Sequence, residues 1–218
     1  VALQDIPLAW SRLRNAWRLT GNAAVTGNLA VDGTLSVGGS SVSAPSVPLP
    51  GDHGFHAWQY DPSFASTGQL LTNGTIYLSA VYLRQAVMVA KCWFLMSTAA
   101  ATPTAGQNWI GLVNSSGTVL STASLDSVIT TGSTARSATL ATPQSVAAGT
   151  YWVAIVCNAT TAPTLMRTNG MTTGTNNANL SGASLRYATN LTGQTALPGS
   201  LAMSSNVVGP SLWVAVSA

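Results

Sequence analysis

Between residues 21 and 39 the apolar positions recur every six residues. The chain reads Gly21-Asn-Ala-Ala-Val-Thr, Gly27-Asn-Leu-Ala-Val-Asp, Gly33-Thr-Leu-Ser-Val-Gly, then Gly39. Each unit predicts a very short strand and a turn, with glycine where the backbone takes positive φ without steric cost. Isolated short strands are marginal in water, so three such units cannot bury their apolar rows within one chain. The pattern therefore predicts an oligomeric stalk over 21–39, with Val25, Leu29, Val31, Leu35 and Val37 in its core. Upstream the period changes. Ile6, Trp10, Leu13 and Trp17 recur at i, i+4, i+7 and i+11, behind Asp5 as a candidate N-cap and Pro7 in the first turn. This predicts a helix over 5–19 within an N-terminal segment 1–20. Three roles stay open for it: an anchor docking into a larger assembly, a membrane-surface helix, or a helix packed on its own oligomer.

After the repeat the pattern dissolves into SSVSAPSVPLPGDHG at 40–54, a Ser/Pro/Gly stretch whose prolines favour extended backbone. We read 40–57 as a linker and 58–218 as a head. The head reads as strand after strand: Thr75–Leu83, Val87–Met96, Trp109–Val113, Thr118–Thr122, Ser137–Leu140 with Val146, Tyr151–Cys157, Leu185–Ala188 and Leu212–Val216. Asn114-Ser-Ser-Gly117 joins the third to the fourth as a hairpin loop. In Tyr151–Cys157 both faces are apolar, which predicts a central strand. Eight or so strands without helical period predict an all-β sandwich, a jelly roll above other choices. The expected fold class is thus all-β: a jelly-roll-like β-sandwich head on a short hexapeptide-repeat β stalk, with one N-terminal helix.

Composition narrows the functions. Only 6% of the 218 residues are charged, Glu is absent and Lys91 is the sole lysine. Average soluble proteins carry roughly a quarter charged residues. The net charge of +3 is concentrated upstream, where Arg12, Arg14 and Arg18 against Asp5 leave +2 (three minus one). A nucleic-acid binder needs a basic face on its folded domain, and none is expected here. No apolar run reaches the roughly 20 residues of a membrane span, and no signal-peptide pattern opens the chain. Val1 in place of Met is expected where an initiator has been removed or the chain is a fragment. Cys92 and Cys157 lie in apolar runs, as one bridge or as two buried free thiols.

Repeat stalk, Pro-rich hinge and β-head together resemble bacteriophage tail-fibre and receptor-binding proteins. The repeat Val25-Thr-Gly-Asn-Leu-Ala-Val-Asp-Gly-Thr-Leu-Ser-Val37 is similar to fibre neck segments. Trp58-Gln-Tyr-Asp-Pro62, Leu71-Thr-Asn-Gly-Thr-Ile-Tyr-Leu78, Trp109-Ile-Gly-Leu-Val, Ser116-Gly-Thr-Val-Leu and Ala148-Gly-Thr-Tyr-Trp152 are similar to β-sandwich modules of phages infecting actinobacteria. The resemblance spans roughly residues 21–157. It implies a homotrimer on the surface of a phage particle, with Trp10, Arg14, Trp17 and Arg18 docking the helix to other virion proteins. It also implies a head that contacts a host glycan or protein. A capsid head fibre or decoration protein, and a tailspike glycan hydrolase, are the alternatives.

The hydrolase reading is weak in carboxylates. Glycoside hydrolysis ordinarily uses a pair about 5 to 9.5 Å apart. Asp5, Asp32, Asp52, Asp61 and Asp126 are all there is, and only Asp52 and Asp61 are close in sequence. We therefore expect no enzyme, no cofactor and no metal. Asp52-His53-Gly54-Phe55-His56 is a feasible metal turn, with a locally bonded linker as its bland reading. No nucleophile elbow, phosphate loop or dinucleotide fingerprint is present. Trp93, Trp109, Trp152 and Trp213 are expected in the core, and Trp58 with Tyr60 at the stalk–head junction. For recognition, the polar loop 168–182 is the first candidate, since loops on rigid scaffolds carry binding. Its Asn169, Asn176, Asn177 and Asn179, bracketed by Arg167 and by Arg186 and Tyr187, suit sugar hydroxyls and ring faces. A solvated loop or an oligomer contact remains the bland reading. Residues 97–108 are the second candidate.

Overall fold

Strands that are apolar on both faces are buried on both faces, and they organise this molecule. The computed structural model describes residues 48–218 apart from 133 and 169–176, together with the backbone of four short strands upstream. By its contacts the chain divides into Val1–Ser46 and Val47–Ala218. In the first unit β1 (Arg12–Leu13) pairs antiparallel with β2 (Ala16–Trp17), and β3 (Ser36–Val37) with β4 (Ser40–Ser41). The expected helix over 5–19 is thus corrected at four of its residues, which form a strand ladder. Barely two heptads seldom hold a helix alone, and Asn15 between the strands favours turns over helix. The rest of that helix, with Trp10, Arg14 and Arg18, lies outside the described residues. So do Val25, Leu29, Val31 and Leu35 of the repeat, while the backbone of Val37 lies in β3.

The second unit is an antiparallel sandwich. Its strands are β5 (Ala57–Trp58), β6 (Ala65–Leu70), β7 (Tyr77–Leu83), β8 (Val87–Thr98), β9 (Ala101–Pro103), β10 (Trp109–Val113), β11 (Val119–Ser124), β12 (Thr134–Val146), β13 (Gly149–Val156), β14 (Ala159–Thr161), β15 (Thr164–Thr168), β16 (Tyr187–Thr189), β17 (Val207–Val208) and β18 (Val214–Ser217). One sheet runs β11-β10-β13-β7-β16-β17. In the other, β12 and β15 flank β8, and β6 lies beyond β15. The cores of the two sheets, β7-β13-β10-β11 and β6-β15-β8-β12, have the strand order of a jelly roll, as expected. β18 enters beside β8 and also pairs with β5, so the first and last strands of the head meet at Trp58↔Ala215 and Ala57↔Val216. Residues 48–57, expected as linker, are bonded into this head: the His56 amide donates to the Val216 carbonyl at 2.8 Å.

Alternation along β7 and β13 builds two cores. Tyr77, Val81, Leu83, Val153 and Ile155 point between the sheets, where they meet Cys92, Phe94, Met96, Leu165 and Val214. Leu78, Ala80, Trp152, Ala154 and Val156 point the other way, against Leu185, Leu201 and Met203 of the later chain. Burying each large side chain contributes about 1.5–3 kcal/mol, so residues 185–203 are a structural layer of the head. Of the four tryptophans expected inside, Trp152 and Trp213 are buried. Trp93 and Trp109 are corrected to half-buried positions, their indole N–H groups donating to the Ser217 hydroxyl and the Gly106 carbonyl at 2.9 Å each.

Both cysteines are free and buried. Burial pushes each thiol up to about 12, the Asp126 carboxylate adding to the effect at Cys157. A folded-state value above the ordinary 9.0 means this contribution is intact below that pH and is lost as pH rises from there towards about 12. Iodoacetamide at about pH 8 is expected to label neither thiol in the native protein and both after denaturation, read by intact mass. Native labelling at the free-thiol rate would contradict their burial.

Candidate functional site

The two ends of the sandwich differ in chemistry, and β8 separates them. Its twelve residues span roughly 36 Å, from Val87 at one end to Thr98 at the other.

At the Val87 end a cleft of ≈ 860 Å³ opens, lined among others by Leu49, Phe55, Trp58, Gln59, Phe64 and Tyr82. It exists because residues 50–56 fold back over the outer face of the β8 sheet, where Phe55 meets Trp93 and Trp213. Two 3₁₀ turns shape that path. Asp52 accepts the Leu49 amide at 2.8 Å around Pro50–His53, and Asp61 accepts the Ser63 amide at 2.8 Å around Pro62–Phe64. Phe55 then packs edge-on to Trp93 and Trp213, with ring centroids 5.4 and 5.8 Å apart, and His53 lies 5.2 Å from Trp58. The Trp213 indole donates to the Tyr60 carbonyl at 2.7 Å, and the Tyr60 hydroxyl to the Ser211 carbonyl at 2.9 Å. Burial raises the Tyr60 phenol well above its ordinary value. Trp58 and Tyr60, expected at the stalk–head junction, thus lie within the unit Val47–Ala218. Gln59 is 6% exposed, and its amide stands by the Tyr187 hydroxyl without closing a well-formed hydrogen bond.

The rim of this cleft is apolar and exposed. Leu49, Phe64 and Tyr82 are 49, 65 and 44% exposed. Arg84, also on the rim, is exposed and makes no hydrogen bond or ion pair. The two histidines serve separate contacts, His53 with the aromatic rings and His56 through Nε2 with the Met88 carbonyl at 2.9 Å. Among the described residues no group of three metal-ligating side chains converges.

The expected recognition residues are only partly brought together. Asn177 is 2% exposed, and its amide brackets the start of β16. Oδ1 accepts from the amides of Arg186 (2.8 Å) and Tyr187 (3.2 Å), while Nδ2 donates to the Tyr187 carbonyl (2.9 Å). Tyr187 is 4% exposed, and burial pushes its phenol up to about 12. These two residues serve the framework and offer no surface to a ligand. Arg186 lies over the rings of Tyr82 and Tyr187, at 6.0 and 5.5 Å. Asn179 is exposed at φ 60. Asn169 and Asn176 lie outside the described residues.

At the Thr98 end the loops are polar and tied to one another by asparagines, of which Asn108 is buried, Asn158 half-buried and Asn73 exposed. Asn108 is fully buried; its Nδ2 donates to the Thr104 carbonyl and to Asp126 Oδ1, and its Oδ1 accepts the Asn158 amide, all at 2.8 Å. Asn158 Nδ2 donates to the carbonyls of Gln107 and Gln194, and Asn73 Nδ2 to that of Ala159. Thr102, Thr104, Ala105 and Gly106 stand exposed above this mesh, with Thr102 at φ 48. Such backbone strain in a non-glycine residue is held only where its surroundings over-determine it. From sequence, 97–108 ranks second because it offers less hydrogen-bonding chemistry than 168–182.

The three acids among the described residues are bonded locally. Asp61 is held below the usual carboxylate range by its hydrogen bonds to Ser63, the opposite of what a general acid needs. Asp126 accepts from the Gly106 amide and from Asn108. No family model matches this chain, and comparison with curated proteins finds none similar to it.

Proposed function

We propose that this chain is a structural fibre protein of a phage particle, a homotrimer whose head adheres to the host surface without cleaving it. In this reading residues 1–20 attach to other virion proteins, 21–39 space the head, and the Thr98 end faces outward. The observation that carries it is the polarity of the head. Pro48, where the chain joins the head, lines the apolar cleft, while the opposite end presents hydroxyl-rich loops over an asparagine mesh. Rigid loops presenting hydroxyl and backbone groups suit a glycan or protein surface at low affinity per site. Several heads per fibre then supply avidity.

Purified protein is expected to adhere to host cells and to compete with phage adsorption. Thr104→Arg, on the exposed loop, should cut adhesion at least tenfold with no change in melting temperature. Adhesion that is absent, while residues 1–20 capture capsid protein, would favour the decoration reading. Shortening of host polysaccharide on incubation would establish an enzyme instead.

A further inference from the structure

Resting on that oligomeric reading, we propose that the cleft end of the head is the contact between copies of this chain. The face is built from Leu49, Phe64 and Tyr82, with Arg84 of one copy meeting Asp61 of the next. Three of the nine large apolar side chains exposed among the described residues, Leu49, Phe64 and Tyr82, line this single cleft. Contiguous exposed apolar rims of this kind mark interaction surfaces.

Two observations select a second copy as the occupant. The first is where the tether ends. Residues 1–46 form a separate unit, and the head begins at Val47, with Pro48 and Leu49 already on the rim. Copies joined through their N-terminal residues are held together by this end of each head, so the rims are the surfaces brought to high local concentration. The second is charge. The rim carries one guanidinium without a partner, Arg84, and one carboxylate bonded only within its own turn, Asp61. Within one head the two make no ion pair. A rotational assembly presents the cation of each copy to the anion of its neighbour, closing the ring with every charge paired. Such pairs at a rim fix register more than they add affinity, and the apolar residues supply the attraction.

The test uses the full chain and cysteine cross-linking, which the two buried native thiols do not complicate. Phe64→Cys and Thr161→Cys place a thiol at the cleft end and at the far end, both at exposed positions. With a short bismaleimide, Phe64→Cys is expected to give covalent multimers whose yield is independent of protein concentration, and Thr161→Cys only monomer. Phe64→Glu combined with Arg84→Glu should lower the oligomer's melting temperature, or its mass by light scattering, while circular dichroism stays that of the wild type. An oligomer that cross-links at Thr161 but not at Phe64, or is unmoved by the double substitution, overturns this contact and leaves the fibre reading standing. A wild-type chain that is monomeric overturns both. Loss of host adhesion in the double variant, with unchanged mass and cross-linking, would assign the cleft to a host ligand instead.

Discussion

Gly117→Ala is expected to lower the melting temperature of the head by roughly 10 °C, the equivalent of about 3–5 kcal/mol. Gly117 sits at φ 88 in the turn between β10 and β11. That is left-handed backbone, which a Cβ disfavours by about 1 kcal/mol. Space adds the larger part. A Cβ built there collides with the Leu201 carbonyl oxygen and comes within 3.1 Å of Met203 Cγ. Neither can retreat cheaply. The Leu201 amide donates to the Gly117 carbonyl at 2.8 Å, and Leu201 and Met203 are both buried against the outer face of the β13 sheet. The substitution must therefore lift the loop that covers the second core. Gly51→Ala, where a Cβ meets nothing within 4 Å, should change stability by less than about 0.5 kcal/mol. Calorimetry on the two variants checks the argument, and equal melting temperatures would refute it.

What the sequence made legible follows from what periodicity encodes. Trp109–Val113 is readable from the hairpin loop that follows it and Tyr151–Cys157 because both its faces are apolar, and β13 is central between β10 and β7. The jelly-roll choice holds because strands of that kind must be covered twice. β6 was missed: Ala65–Leu70 is small and polar, exposed on alternate residues, and sits at a sheet edge where little burial is required. β15 went unread for a related reason, as Thr164–Thr168 keeps only Leu165 fully buried. Periodicity also could not assign faces. Trp93 and Phe94 are neighbours in one apolar run, yet only Phe94 is buried between the sheets. The stalk and the N-terminal helix rested on patterns whose residues lie mostly outside the described ones.

The candidate site was legible in its borders more than in its content. Arg186, at one border of the expected loop, does gather aromatic rings, while 169–176 of that loop lie outside the described residues. An asparagine in such a loop reads as surface, but Asn177 spends its amide on three backbone groups of Arg186 and Tyr187. The same substitution of amide for charge recurs at Asn73, Asn108 and Asn158. In a chain with five acids, side-chain amides take over the tying of loops that ion pairs often share elsewhere. An amide both donates and accepts, so one side chain can satisfy two backbone partners in a dry site where a charge would need its own counter-ion.

Asn108→Ala is the sharpest test of that substitution, and of the outward face proposed for the Thr98 end. The change removes three hydrogen bonds of 2.8 Å from a fully buried position. It leaves the Thr104 carbonyl, the Asn158 amide and one Asp126 oxygen short of a partner. Each buried group left unsatisfied costs about 1–3 kcal/mol, and partial relaxation of the loop sets the expected total near 3–4 kcal/mol. The loss should be local before it is global. Hydrogen exchange is expected to speed up at least tenfold over 99–107 and 157–160, while β7 and β13 keep their protection at moderate temperature. Asn108→Asp separates bonding from shape. Its carboxylate keeps the acceptor for the Asn158 amide but faces Asp126, so the variant should be less stable than Asn108→Ala at neutral pH. It should regain stability as pH falls and the added carboxyl protonates, whereas Asn108→Ala should not. If the far-end loops carry adhesion, both variants lose host binding in proportion to the loosening of 99–107, at temperatures where the cores remain folded. Full adhesion from a chain whose loop exchanges freely would place the host contact elsewhere on the head.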